Sequence, residues 1–409
     1  MGNEATIGNY VTLQRGVTYK GNLVGKPGPA LLGLGSIHPG GGFREGDYKT
    51  YGGECLPKHM LFPGDLFVSL KGATKDGKMI GSVARVPLSV KAGRLTQDTV
   101  KLELKEPNQK TSNFIYWVLR TQHYRKYCAG RATGSAVVAL SRDDFLAYQV
   151  PAITDTRLRM VELFEALDKK IELNRRMNAS LEATAQSLFK SWFVDAVQDR
   201  LPKGWQESTI GEEVRVVGGS TPSTSGLEFW EGGTYHWATP KDLSNLESPV
   251  LLDTDRKITD TGLQQITSGL LPVGTVLLSS RAPIGYLAIA EIPVAINQGF
   301  IGMICDGALP NHYVRLWTKQ NKDAIESRAN GTTFMEISKG NFRPLPIIVP
   351  PQPLLDAFQV QVDLLHRRVV SNLLESRTLA TLRDTLLPKL LSGELRVPLN
   401  KSNKEEVYA

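Results

Sequence analysis

Three groups of polar residues stand out by type and spacing. Lys71, Lys75 and Lys78 crowd one short segment, and Arg281 stands at the corresponding place further along. Arg94, Thr96 and Gln97 precede a strand-like run, and Asn297 and Gln298 match the last two. Arg131, Thr133, Gly134 and Ser135 form a third group, matched by Arg328, Asn330, Gly331, Thr332 and Thr333. Small hydroxyl and glycine residues beside an arginine suit phosphate contact through backbone N–H groups, and Arg, Asn and Gln can bond base edges in bidentate fashion. Any one of these residues also fits an ordinary solvated turn. Their recurrence as a set is what favours binding of a polyanion.

Catalytic chemistry finds no comparable support. Gly72 to Lys78 follows a strand-like run and matches a phosphate-binding loop up to its last position, where Met79 replaces the magnesium-binding Ser or Thr. Ile80 to Val86 then reads as a strand, so no helix N-terminus faces the loop, and a basic hairpin loop is the better reading. Cys55, Cys128 and Cys305 are an odd, scattered set without CxxC spacing, which supports neither a disulfide framework nor a zinc site. The six histidines show no metal spacing, and His366 is expected at the surface of a helix. No GxSxG, HExxH, Cys/His pairing or Asn-Pro-Pro-aromatic signature is present. The opening Met1-Gly2-Asn3-Glu4-Ala5-Thr6 loosely fits a myristoylation pattern, but Thr6 belongs to a repeated motif described below. No signal-peptide architecture or run long enough to cross a bilayer is seen, so a soluble chain of a reducing, cytoplasmic compartment is expected.

The residues that position these groups are written twice. Thr6-Ile7-Gly8 recurs as Thr209-Ile210-Gly211, and Gly64 to Ser69 resembles Gly274 to Ser279. Ile80 to Ala84 resembles Ile284 to Ala288, and Ser141 and Phe145 match Ser338 and Phe342. The shared order of these matches identifies an internal duplication. Each copy opens with a part rich in Gly, Pro and short β-branched runs, read as strands and turns. Charge divides unevenly between the copies: residues 1–154 carry 20 Lys/Arg against 11 Asp/Glu, whereas 201–350 carry 12 against 15.

Each copy closes with one long amphipathic segment. Leu167, Ile171, Leu181 and Leu188 lie near heptad spacing in 155–197, and Leu365, Val369, Leu379 and Leu386 do the same in 353–391. Pro353 fits a first helical turn, while Pro388 is expected to end or kink the second helix. A helix of about 40 residues is about 60 Å long. Two such stripes predict an antiparallel coiled coil, in which Asn174 and Asn372 either set the register at the seam or face solvent. The expected fold is α+β: two mixed α/β domains, related by a pseudo-twofold axis, separated by two long antiparallel coiled-coil helices. The expected boundaries are 1–152, 153–200, 201–350 and 351–395, with a tail at 396–409.

This order of mixed domain, long helix, mixed domain, long helix resembles a specificity subunit of a type I restriction-modification system. Leu201-Pro202-Lys203-Gly204-Trp205 ahead of Thr209, Asn297-Gln298-Gly299, Asn330 to Thr333 with Ile337-Ser338, Ile347 to Pro351, and Leu386 to Leu395 carry the resemblance, which covers nearly the whole chain. It implies that each mixed domain is a target-recognition domain reading one half of a bipartite, asymmetric sequence in double-stranded DNA. It also implies that the helices space the domains and dock two methyltransferase subunits. Those partners would carry S-adenosylmethionine, and a separate restriction and motor subunit would use ATP and Mg, leaving this chain without a cofactor or metal and without catalysis. The net negative second domain would then need a local basic patch, or its partner, to meet phosphate. The readings left open are a structural adaptor that assembles an enzyme complex without reading DNA, and a nucleotide-hydrolysing enzyme built on Gly72 to Lys78.

Overall fold

The computed structural model describes residues 5–46, 48–72, 77–134, 138–197, 200–244, 246–331 and 335–392. Lys75, Ser135, Thr332 and Thr333 lie outside these residues. The chain forms two compact units: one takes the residues up to Lys170 and those from Thr378 onward, and the other is Ile171–Arg377. Both long helices therefore contribute to both units.

In unit 1 a four-stranded antiparallel sheet runs in the order Val11–Arg15, Thr99–Leu104, Leu66–Ser69, Val83–Arg85. Leu66–Ser69 is buried at every position, which is why it reads as a continuous apolar run rather than an alternation. A smaller sheet sets Ala30–Leu32 parallel to Gly93–Leu95, which also pairs with Met60–Leu61. Helix Gln109–Val118 starts where the Asn108 side chain accepts from the Lys110 and Thr111 N–H groups, and Thr121 caps the next helix in the same manner. Phe114, Trp117, Tyr124 and Phe145 make the core with Met160, Val161, Phe164 and Leu167 of the central helix and Leu387 of the C-terminal helix.

Unit 2 repeats this plan with additions. Its main sheet is Val250–Leu251, Leu287–Ala290, Val276–Ser279, Phe300–Ile304, Arg215–Gly218, and its smaller sheet sets Tyr235–Ala238 parallel to Val294–Ile296 and antiparallel to Arg256–Ile258. Pro346–Val349 pairs with Gln206–Thr209. Its main core joins Ile210, Val276, Ile301 and Phe342 to Ala185 and Phe189 of the central helix and to Leu355, Phe358 and Val362 of the C-terminal helix.

The central helix is Asp155–Phe189, shorter than the expected segment, and continues into a wider π-type turn at Lys190–Val194. There Phe189 and Phe193 meet Tyr313 and Phe358, so aromatic packing sets the change of pitch. The C-terminal helix is Gln352–Ser392 and, contrary to expectation, does not end at Pro388. Proline removes one backbone bond there, and the packing of Leu386 and Leu387 against the unit 1 core holds the helix through it.

Within each unit the two helices run antiparallel. In unit 1, Leu379 and Leu386 pack on the core that contains Leu167, and Asp168 Oδ1 accepts from Arg383 Nη1 at 2.6 Å. In unit 2, Leu188 and Leu365 pack on the core, Val369 is buried, and Ile171 and Leu181 are half-buried. Asn174 and Asn372 are buried at the seam rather than turned to solvent, together with Asn178. Asn174 Nδ2 donates to Glu375 Oε2 at 2.8 Å and Ser376 Oγ at 3.2 Å, and Asn372 Nδ2 donates to Asn178 Oδ1 at 2.8 Å. Buried polar groups that bond across a seam are a means of fixing register, although Asn174 Oδ1 itself finds no partner among the described residues.

His366 is also not a surface residue. Its Nε2 lies 2.7 Å from Glu291 Oε1, and its ring stands edge-on to His312 at 4.6 Å. His312 is buried, with Nε2 3.0 Å from Asp363 Oδ1, and burial together with His366 and Arg315 pushes its imidazole down to about 3. It is neutral at physiological pH, so its contact with Asp363 is not an ion pair.

Candidate nucleic-acid interface

In each unit the repeated polar groups meet at the ends of the central strands. In unit 1, strand Leu66–Ser69 runs out into Leu70 and Lys71, where Leu140 N–H donates to Leu70 O at 2.9 Å and Lys71 bridges Ala139. Ala139 in turn bridges Thr133. The turn at Thr96, Gln97 and Asp98 joins the same cluster, because Lys71 Nζ lies 3.4 Å from Asp98 Oδ1. In unit 2, Ile337 N–H donates to Ser280 O at 3.0 Å, Arg281 bridges Glu336, and Glu336 bridges Asn330. Ser280 N–H donates to Gly299 O at 2.8 Å, which ties in the Asn297 and Gln298 turn. Gly134 and Gly331 hold the same place in the two copies with φ of 119° and 120°, a conformation that favours glycine.

The side chains differ in how available they are. Lys71, Lys78, Gln97, Arg131, Thr133, Gln298, Arg328 and Asn330 are exposed. The Lys78 carbonyl accepts from Ser82 Oγ at 3.3 Å and from the Arg125 guanidinium. Arg131 lies over the Tyr127 ring at 4.6 Å with Asp144 at 3.8 Å. Asn297 turns its Oδ1 to the Gly299 N–H at 2.9 Å, and Gln298 Oε1 accepts from Thr221 Oγ1. Asn341 Nδ2 donates to the Arg328 carbonyl at 3.0 Å.

Arg94 is a correction. It lies within strand Gly93–Leu95 and is 4% exposed, with Nη2 donating to Thr18 O at 2.8 Å and the guanidinium 4.5 Å from the Tyr51 ring centroid. It props the loop at Thr18 from below and presents no surface to a duplex.

Sequence reading missed the acidic members of both clusters, Asp98 and Glu336, because it searched for cations and amides. It also missed the concavity beside Gln97, a cavity of about 510 Å³ lined by Tyr19, Tyr48, Lys49, Thr96, Gln97 and Asp98 among others. Among the described residues no group of three or more His, Cys, Asp or Glu is placed to hold a metal, and no helix is long and apolar enough to cross a membrane.

A polar cluster that recurs at the same strand ends, with hydroxyls, amides, one cation and glycine-shaped backbone, can contact phosphate and base edges together. A family model described as the type I restriction modification DNA specificity domain matches residues 202–368. Over 153 residues the chain is 39% identical to the type I restriction enzyme MjaIX specificity subunit of Methanocaldococcus jannaschii, covering 37% of this chain and 35% of that protein. It is 22% identical over 374 residues to the HindI specificity subunit of Haemophilus influenzae, covering 73% of this chain and 81% of that one. The fold is similar to the crystal structure of the type I restriction-modification S subunit from M. genitalium, with a TM-score of 0.51 and 18% identity over 96% of this chain and 97% of the other. Residues 202–368 thus match the type I restriction modification DNA specificity domain, and the chain is similar along most of its length to type I specificity subunits.

Proposed function

We propose that this chain is the noncatalytic, sequence-reading subunit of a type I restriction-modification complex, and that it binds a bipartite, asymmetric duplex target. What supports the reading is the convergence of three repeated loops at one place in each unit: 69–71, 96–98 and the described residues 133–134 and 138–139 in unit 1, and 280–281, 297–299 and the described residues 330–331 and 335–337 in unit 2. Two such clusters in one chain, built on one plan from different side chains, suit two different half-sites. Lysine and arginine position the duplex on its phosphates with salt-dependent affinity. Amides and hydroxyls discriminate base edges at about 1–3 kcal/mol per good pair.

In this reading the paired helices hold the two clusters apart and present docking surface to two adenine methyltransferase subunits. Those partners supply S-adenosylmethionine, and a restriction and motor subunit supplies ATP- and Mg-dependent work, all in the cytoplasm. Adding or deleting helical turns changes the unread spacer and leaves both half-sites intact. The direct test compares long-read adenine-methylation maps of the host with and without the gene. Loss of one bipartite motif supports the reading. An unchanged map, in a host where the methyltransferase is expressed, favours an adaptor that does not read sequence. Where the motif is lost, exchange of 1–152 should alter one half-site only.

A further inference from the structure

Each cluster holds its cation against one carboxylate, and the two carboxylates come from different loops. In unit 1 the partner of Lys71 is Asp98, from the turn that follows Gln97, and the residue bridged to Lys71 is Ala139. In unit 2 the residue bridged to Arg281 is Glu336 itself, with Oε2 3.7 Å from Nη1, and Gly299 stands where Asp98 stood. The carboxylate has changed loops while its target has stayed in place.

Stability does not explain this. The four side chains are between 34% and 45% exposed, and ion pairs so open to water contribute little to folding. For a surface that meets DNA, a carboxylate within 4 Å of the phosphate-facing cation is a handicap. It repels any duplex, and the handicap is offset only where the carboxylate finds a donor of its own. Carboxylates are acceptors only, and the base-edge donors of the major groove are the exocyclic amino groups of adenine and cytosine.

Resting on the DNA-reading function above, we propose that Asp98 and Glu336 are specificity-determining residues, each reading the amino group of an adenine or cytosine in its half-site. In the free protein each neutralises its loop cation. On the correct sequence the base amino group takes the carboxylate and the cation is released to phosphate. On any other sequence the carboxylate stays unpaired beside the backbone, and binding is penalised.

The test uses the full chain carrying Asp98→Asn or Glu336→Gln, which keep shape and remove charge. Two readouts are taken: affinity for a random-sequence duplex across a salt series, and the motif methylated in the host. Each variant is expected to bind random duplex roughly tenfold more tightly, with a salt slope steeper by about one phosphate contact, and to relax one A- or C-bearing position of one half-site. Asp98→Asn combined with Ala139→Glu rebuilds the unit 2 arrangement in unit 1 and should return the random-duplex affinity to the wild-type level, which also controls for folding. Unchanged affinity and an unchanged motif in both variants overturn the proposal while leaving sequence reading intact. A wild-type chain that binds no duplex and specifies no motif overturns both.

Discussion

The two units share a backbone plan but fasten their mixed domains to the long helices with different chemistry. In unit 1, Glu165 of the central helix takes two bonds from Arg85, at 2.7 and 2.9 Å, and one from Trp117 Nε1 at 2.7 Å. In unit 2, Glu182 of the same helix takes two bonds from Arg315, at 2.8 and 2.9 Å, with Lys319 at 3.6 Å. Burial would lift the Glu182 carboxyl, but Arg315 and then Lys319 outweigh it and hold it below the usual carboxylate range. One fastening draws its cation from a strand and the other from a helix. A duplicated fold therefore keeps the position of a polar anchor more firmly than its residues. The recognition loops show the same freedom in Asp98 and Glu336.

The largest effect expected from breaking this symmetry is at Arg315, whose side chain is 3% exposed against 22% for Arg85. Arg315→Met removes both bonds of a buried guanidinium and leaves Glu182 with Lys319 and a bond from Gln186 Nε2 at 2.9 Å, and should cost about 3 kcal/mol. Arg85→Met removes a more exposed guanidinium and leaves Glu165 its bond from Trp117, so about 1–2 kcal/mol is expected. Denaturant unfolding of the two variants checks the order. Equal losses would mean that the anchors are equivalent in spite of their burial.

The next effect is confined to unit 2 and depends on pH. His312 stays neutral in the folded chain down to about 3, while its ordinary value is 6.5. Below pH 6.5 the unfolded chain binds the proton and the folded chain does not, so stability falls as pH falls. Burial lifts Asp363, which takes up its proton earlier in the folded state and opposes the loss at lower pH. Between pH 5 and 6.5 His312 accounts for about 2 kcal/mol, and His38, His59 and His236, also lowered by burial, add to the slope in the same sense. His312→Gln removes the titrating ring, and thermal unfolding across that window should lose the His312 share of its slope. A slope unchanged by the substitution assigns acid sensitivity to the other groups.

Much of this organisation was legible in the sequence, and the failures have physical causes. The duplication and the helical stripes could be read because apolar periodicity and turn residues are local signals. Pro388 misled because packing of Leu386 and Leu387 overrides a local breaker. His366 misled because its partner Glu291 lies 75 positions away, and no local pattern announces such a contact. Arg94 misled for the same reason: its carbonyl partner at Thr18 is 76 positions distant. In the candidate interface, the repeated loops were found by recurrence, whereas Asp98 and Glu336 do not recur at equivalent positions and were invisible to that search.

The helix seam extends the comparison, since unit 1 closes it with an ion pair and unit 2 with amides, one of them bonded to Glu375. Asp168 accepts from Arg383 at 2.6 Å and from Arg120 at 3.3 Å, so Asp168→Asn takes the shared anion from two half-buried guanidinium groups and leaves Arg383 with Asp384 at 2.8 Å. A loss of about 1–2 kcal/mol is expected, measured by denaturant unfolding.

At the unit 2 seam the single and double variants should disagree. Asn372→Leu removes the donor to Asn178 Oδ1 and leaves a buried acceptor unpaired, at about 1–2 kcal/mol. Asn178→Leu with Asn372→Leu removes both partners and fills the space with apolar atoms, so the pair should return to within about 1 kcal/mol of wild type. If the double variant is as unstable as the sum of the singles, the amides act independently. If it recovers, the asparagines cost the seam little and are kept for alignment, since leucine pairs well with leucine in more than one register. In unit 1 the Asp168–Arg383 pair cannot be exchanged so freely, because Arg120 would still face the vacated carboxylate position. The charged seam is tied to its domain through Arg120, whereas the amides Asn174 and Asn372 bond across to the facing helix.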